Sequence, residues 1–156
     1  MKIRRYRSSD CNELTTLFYE AVHTVNARDY TAEQINAWAD GKPDREAWNR
    51  SFLEHTTLIA EEDGRIIGFA DMDRGGYLDR LYIHKDYQGR GTATALCAEL
   101  EKRSEAKVFT SHVSITAKPF FERQGYRVIR EQRVSRHGVE LTNYVMEKGL
   151  VSKPGR

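Results

Sequence analysis

The chain lacks the features that mark several classes of protein. No apolar run is long enough to span a membrane, and the basic start of the chain leads into polar sequence without the apolar core of a signal peptide. The sequence therefore predicts a cytoplasmic protein without a membrane partner. Lysine and arginine together number 25 against 23 acidic residues, and a net charge of +2 gives no general attraction to nucleic acid.

Potential metal ligands are also sparse. The two cysteines, Cys11 and Cys97, lie far apart in helix-like segments, and we interpret them as free thiols in a reducing compartment. The five histidines are scattered, without an H-x-H or H-E-x-x-H grouping. We therefore expect no metal cofactor.

The length of 156 residues suits one domain with a single core. We expect that domain over residues 1–150 and a polar tail over residues 151–156. Capping residues predict helix starts at Asp10, Thr31 and Asp44. Apolar spacing predicts strands and helices in the order strand, helices, β-meander, helix, strand, helix and terminal hairpin. This order predicts an α+β domain with a mixed, mostly antiparallel sheet and helices on both faces.

The most informative segment begins at Leu81. Residues 81–83 are typical of a buried strand, a turn with Gly89 and Gly91 follows, and apolar residues at helical spacing begin at Ala93. A glycine turn that enters a helix exposes unpaired backbone N–H groups at the positive end of the helix dipole, which is a favourable site for phosphate. The segment therefore predicts a ligand with a phosphate group.

Two common phosphate-binding motifs do not fit this turn. No Lys-Ser or Lys-Thr follows the glycines, as a P-loop requires, and Thr94 stands where a dinucleotide-binding turn has its third glycine or alanine. The pattern Gln88-x-x-Gly91-x-Ala93 instead resembles the Q/R-x-x-G-x-G/A signature of the GCN5-related N-acetyltransferases. The resemblance implies the N-acetyltransferase fold, in agreement with the order of elements.

A second block supports the same resemblance. Residues 114–126 are similar to the family pattern N-x-x-A-x-x-x-Y-x-x-x-G-F, with Ala117, Gly125 and Tyr126 in register. Together with residues 29–38, this block resembles the YafP-type branch of these acetyltransferases. The similar features cover nearly the whole chain.

The resemblance implies acetyl-CoA as a co-substrate and assigns roles to particular residues. The backbone of Leu81, Tyr82 and Ile83 would pair with the pantetheine arm. The amide of Leu81 would donate to the thioester carbonyl, because a fixed N–H stabilises the oxyanion that forms there. The residues expected around the pyrophosphate form one run: Gln88, Gly89, Arg90, Gly91, Thr92, Ala93 and Thr94.

Two expected cofactor-binding residues differ from the family pattern. Ser114 replaces the usual asparagine, which shortens any contact with the cofactor. Phe121 replaces the tyrosine that often protonates the leaving thiolate. A phenyl ring cannot donate a proton, so that role is empty or is filled by another group.

The catalytic base has several candidates. Tyr77 stands where some family members have a glutamate base, and Asp79 is a carboxylate expected on the same strand face. Asp79 is either a base that removes the amine proton or the partner of an arginine in a salt bridge. His112 and Tyr126 are further candidates.

The resulting hypothesis is an acetyl-CoA-dependent N-acetyltransferase. A primary amine, from a small molecule or a peptide, would attack the thioester directly within a ternary complex. The protein would be a monomer or a homodimer. Two alternatives stay open: a non-catalytic acyl-CoA-binding or regulatory module, and a nucleotide-binding protein that uses the same helix terminus.

Overall fold

The computed structural model describes residues 1–149, so the predicted tail at 151–156 and its boundary at residue 150 lie outside the described residues. Strands and helices follow one another in the predicted order. The strands are β1 (Lys2–Arg5), β2 (Thr56–Glu62), β3 (Arg65–Met72), β4 (Tyr77–Ile83), β5 (Val108–Ser114), β6 (Arg127–Arg136) and β7 (Val139–Gly149). The helices are α1 (Cys11–Thr24), α2 (Ala32–Trp38), α3 (Arg45–Glu54), α4 (Thr92–Arg103) and α5 (Lys118–Arg123).

The strands form one sheet in the order β1-β2-β3-β4-β5-β7-β6. Every neighbouring pair is antiparallel except β4 and β5, which are parallel. The predicted mixed, mostly antiparallel sheet is therefore confirmed. None of the helices in residues 1–149 is both long and apolar enough to cross a membrane.

Each face of the sheet is covered by helices, as predicted. On one face, Leu96 of α4 and Phe121 of α5 are buried in a cluster with Leu78 of β4. On the other face, Leu14 of α1 is buried in a cluster with Phe69 of β3. Successive side chains of a strand point to opposite faces, so one strand contributes to both clusters.

A β-bulge lies near the centre of the sheet, between β3 and β4. Asp71 of β3 is opposite Arg80, but the next residue, Met72, is opposite Leu78, which leaves Asp79 as an extra residue in β4. A bulge of this kind bends its strand. The ladder between β4 and β5 ends at Leu78, and the two strands separate beyond it.

The predicted helix caps are confirmed at two of three positions. The Thr31 hydroxyl and the Gln34 side chain form a reciprocal capping box at α2, and Asp44 accepts a backbone N–H of α3 at 3.1 Å. The third helix start is also right, because Asp10 is the N-cap residue of α1, but its carboxylate makes no capping bond to α1. Two bonds of 2.9 Å from the Arg4 guanidinium engage that carboxylate, and such charge-assisted bonds are stronger than neutral ones.

Candidate active site

The separation of β4 from β5 creates a cleft of about 500 Å³. Three segments meet there: the end of β4, the glycine turn that enters α4, and the chain from β5 into α5. All the predicted cofactor residues except Arg90 line it, namely Leu81, Tyr82, Ile83, Gln88, Gly89, Gly91, Thr92, Ala93, Thr94, Ser114 and Phe121.

The glycine turn faces open space at the start of α4. Gly91 is the N-cap residue of α4 and has a φ of +80°, a conformation that glycine adopts without steric cost. A Cβ atom at Gly89 or Gly91 would meet nothing within 4 Å, so both residues face open space. The first N–H groups of a helix have no acceptor within the helix. The geometry therefore fits a phosphate group at this terminus.

Arg90 differs from the other residues of the turn. Its guanidinium lies 3.1 Å from Glu62 and over the ring of Tyr87, and its side chain is 54% exposed. The structure does not bring this side chain into the cleft. Gln88 lines the cleft, and its side-chain amide also donates to the carbonyl of Ile83 at 2.8 Å, which ties the turn to the end of β4.

Sequence reasoning missed a carboxamide at the cleft. Asn26 is 7% exposed, lines the cleft, and donates from Nδ2 to the Ser114 hydroxyl at 3.4 Å. The same hydroxyl accepts the backbone N–H of Ala117 at 3.0 Å. The family pattern has asparagine where this chain has Ser114. Asn26 thus supplies an amide side chain next to that position. No local pattern marks Asn26, because only the fold brings two residues this distant in sequence together.

Phe121 belongs to both the cleft and the core. Its side chain is 3% exposed and packs edge to face against Phe120 and Tyr126. The hydroxyl of Tyr126 is buried and has no hydrogen-bond partner within residues 1–149. Burial raises the pKa of Tyr126 well above its ordinary value, which makes this phenol unsuited to the role of base.

Tyr30 ties the cleft to the far strands. Its hydroxyl donates to the carbonyl of Thr142 at 2.7 Å and accepts the N–H of Ile115 at 2.9 Å.

We predict that Tyr30→Phe lowers the free energy of unfolding by about 1–3 kcal/mol, because both backbone groups lose a partner. Tyr126→Phe is the matched control and should leave stability unchanged or raised. Chemical denaturation of both variants tests this, and equal losses would contradict the assignment.

A second cavity of about 300 Å³ lies beside the cleft. Six of its fifteen lining residues are aromatic, namely Phe18, Tyr30, Trp38, Trp48, Tyr77 and Tyr82. The two cavities share five lining residues, which are Trp38, Asp79, Tyr82, His112 and Ser114. The two cavities are therefore adjacent, and the shared residues form the junction between them.

The two base candidates on β4 occupy different places. Tyr77 lines only the second cavity, where its ring packs against His112. Burial, and then the nearby Asp79 charge, raises the pKa of Tyr77 to about 12, so its phenol holds its proton at neutral pH. Asp79 lines both cavities and lies 3.7 Å from Arg80 Nη1. Its location fits both interpretations that the sequence left open.

A charged cluster lies directly behind Asp79. The buried carboxylate oxygen Oδ2 of Asp71 is 2.8 Å from Nδ1 of His55 and 2.5 Å from Nη1 of Arg80. Donor atoms of His55, Asp71 and Asp79 lie within 4.8 Å of one another, a spacing that also suits a metal ion. The Arg80 guanidinium already supplies a cation to this group. Sequence reasoning missed the cluster, because its members come from different elements and share no motif.

Known proteins resemble this chain over most of its length. The family model described as Acetyltransferase (GNAT) domain matches residues 26–148. The uncharacterized N-acetyltransferase YafP of Escherichia coli (strain K12) is 35% identical over 146 residues, which cover 94% of each chain. The chain belongs to the GNAT acetyltransferase family.

Solved structures place the chain in the same family. A GCN5-related N-acetyltransferase from Rhodopseudomonas palustris superposes with a TM-score of 0.92 at 33% identity, over 96% of this chain and 95% of that one. The PaiA N-acetyltransferase of Thermoplasma acidophilum, crystallised with coenzyme A, shares the fold with a TM-score of 0.78 at 21% identity, over 95% and 98% of the two chains. The predicted GNAT fold and the predicted class of enzyme, an N-acetyltransferase, are thus confirmed.

Proposed function

We propose that this GNAT domain binds acetyl-CoA in the cleft between β4 and β5 and transfers the acetyl group to a primary amine in the second cavity. The observation that carries the proposal is the junction of the two cavities at Asp79. A donor and an acceptor bound on either side of it would meet without leaving the protein. Direct attack within a ternary complex is the mechanism that this geometry favours.

The cleft offers what an acyl-CoA needs at each end. The glycine turn would bind the pyrophosphate, because it faces open space at the start of α4. PaiA, which shares the fold, was crystallised with coenzyme A. The last residues of β4 lie beyond the end of its ladder with β5, which leaves backbone groups on that side for a pantetheine arm. The Leu81 N–H would donate to the thioester carbonyl and stabilise the developing oxyanion.

Asp79 is the group best placed to receive the amine proton. A protonated amine cannot attack, so a base at the junction favours the reactive form. Asp79 supplies a carboxylate there, with its side chain 32% exposed. Tyr77, whose phenol keeps its proton, would line the acceptor side and donate a hydrogen bond.

The cysteines support direct attack rather than an acyl-enzyme. Burial raises the pKa of the Cys97 thiol to about 12, and this side chain is 1% exposed within α4. The thiolate is the nucleophilic form of cysteine, so a buried thiol with a raised pKa is unreactive. Cys11 is also buried and its sulfur lies 3.5 Å from the carbonyl of Arg45.

Coenzyme A release measured with acetyl-CoA and a panel of primary amines tests the proposed activity. We expect release that depends on an amine. Phe121, which lacks the usual hydroxyl, favours one rival function, a non-catalytic acyl-CoA-binding module. Tight binding of acetyl-CoA in calorimetry, with no release for any amine, would support that rival. A larger thermal shift with ATP or NAD than with acetyl-CoA would indicate a nucleotide-binding protein instead.

Phe121→Tyr should restore the missing acid. The ring forms part of the cleft wall, so a hydroxyl at its tip would lie beside the departing thiolate. General acid catalysis contributes about 10²-fold at the low end, and we expect a gain of that order in the single-turnover rate. A loss of stability of about 1–3 kcal/mol without a faster turnover would show that the new hydroxyl is buried in the core.

A further inference from the structure

The carboxylate of Asp71 is an unusual group for the centre of a sheet. Its side chain has no exposed surface, and a buried charge is costly unless polar groups compensate it. Oxygen Oδ2 is engaged by both His55 and Arg80. Oxygen Oδ1 is buried and has no hydrogen-bond partner within the described residues. A cluster this costly, next to the junction of the cavities, points to a role beyond packing.

Arg80 is held rigidly between Asp71 and Asp79. Its guanidinium lies over the rings of Trp48 and Phe52, at 4.7 and 4.8 Å from their centroids. Nη2 donates to the Ser51 hydroxyl at 3.1 Å. Nη1 bonds to Asp71 and lies 3.7 Å from Asp79. The arginine therefore lies between the buried carboxylate and the carboxylate at the junction and contacts both.

We propose that His55 is a positioning residue for the acetyl transfer, and that its charge sets the strength of Asp79 as a base. This inference rests on the proposed function, in which Asp79 accepts the proton of the amine. His55 does not touch the substrate in this scheme. It acts through Asp71 and Arg80 and through its field at Asp79.

The charges of the cluster show the direction of the effect. Asp71 of β3 and Arg80 and Asp79 of β4 are the charged groups that face His55. Burial raises the pKa of Asp71, while its hydrogen bond with His55 and the Arg80 charge favour its ionised form. With Asp71 ionised and His55 neutral, two carboxylates and one guanidinium give a net charge of −1, and with His55 protonated the sum is zero. A positive charge within 4.8 Å of Asp79 disfavours its protonation and weakens it as a base. The hydrogen bond that His55 donates to Asp71 raises the pKa of His55 above its ordinary value.

The test compares His55→Gln with the unaltered protein over a range of pH. For one amine, kcat/KM of His55→Gln is divided by kcat/KM of the unaltered protein, and this ratio cancels the titration of the amine. We expect a ratio near one at high pH, where His55 is neutral in the unaltered protein. The ratio should rise to about tenfold at low pH, because His55 is then positively charged in the unaltered protein whereas glutamine stays neutral. KM for acetyl-CoA should be unchanged, and His137→Gln, at an exposed histidine, is the matched control.

A second readout does not need turnover. NMR titration of the His55 imidazole should give a pKa equal to the midpoint of the ratio, and Asp79→Asn should lower that pKa because it removes a facing carboxylate. A ratio below one at every pH, or a His55 pKa that Asp79→Asn leaves unchanged, would overturn the inference. The absence of transfer to any amine, with the NMR coupling intact, would count against the proposed function alone.

Discussion

Gly91→Asp should abolish acetyl-CoA binding while the domain stays folded. Gly91 caps α4 with a φ of +80°, a conformation that aspartate tolerates better than most residues. A new Cβ there meets no protein atom within 4 Å, so the added carboxylate would occupy the space that we propose for the pyrophosphate. Repulsion between the two anions should weaken binding by about 100-fold or more. Calorimetric titration with acetyl-CoA measures the loss.

Gly138→Asp is the matched control for this substitution. Gly138 has a φ of +78°, also faces open space, and lies in the turn between β6 and β7, away from the cleft. Gly138→Asp should therefore share any loss of folding stability caused by the backbone conformation, and its affinity for acetyl-CoA should be unchanged. Equal affinities of the two variants for acetyl-CoA would show that the glycine turn does not bind the cofactor.

Asp79→Asn should lower kcat about 10²-fold near neutral pH and leave KM for acetyl-CoA unchanged. The amide keeps the shape of the side chain but cannot accept the amine proton, and general base catalysis is worth at least that factor. The deficit should shrink for acceptor amines of lower pKa, because a larger fraction of such an amine is already neutral. Steady-state kinetics with a series of amines measures this trend.

Asp63→Asn is the control for the loss of a carboxylate. Asp63 is exposed in the turn between β2 and β3 and has a φ of 52°, which asparagine also adopts readily. It should behave as the unaltered protein. A deficit for Asp79→Asn that stays constant across amines would favour the other interpretation of Asp79, in which it only pairs with Arg80.

The elements that local patterns specify were predicted well. Residues 81–83 form the end of a strand, β4, as predicted, because apolar and aromatic side chains continue up to the turn. The caps at Thr31 and Asp44 also follow from residues within one helical turn. Asp10 begins α1 as predicted, but its carboxylate pairs with Arg4 and makes no bond to an α1 N–H, and the spacing of the helix does not reveal that contact.

The parts of the site that depend on tertiary contacts were not predictable. No glycine or proline marks the bulge at Asp79, and only the pairing of β4 with β3 reveals it. Asn26 reaches Ser114 across 88 positions of sequence. His55 precedes β2 and Asp71 lies in β3 opposite Thr57, so only the folded chain brings their two side chains together.

A crystal structure with a stable analogue of acetyl-CoA would test the central claim most directly. We predict that the pyrophosphate contacts backbone N–H groups of residues 88–94. The carbonyl that replaces the thioester should accept the Leu81 N–H at about 2.7–3.2 Å, with its carbon facing the junction at Asp79. A pyrophosphate bound away from the glycine turn, or a carbonyl on the far side of the sheet from Asp79, would contradict the account.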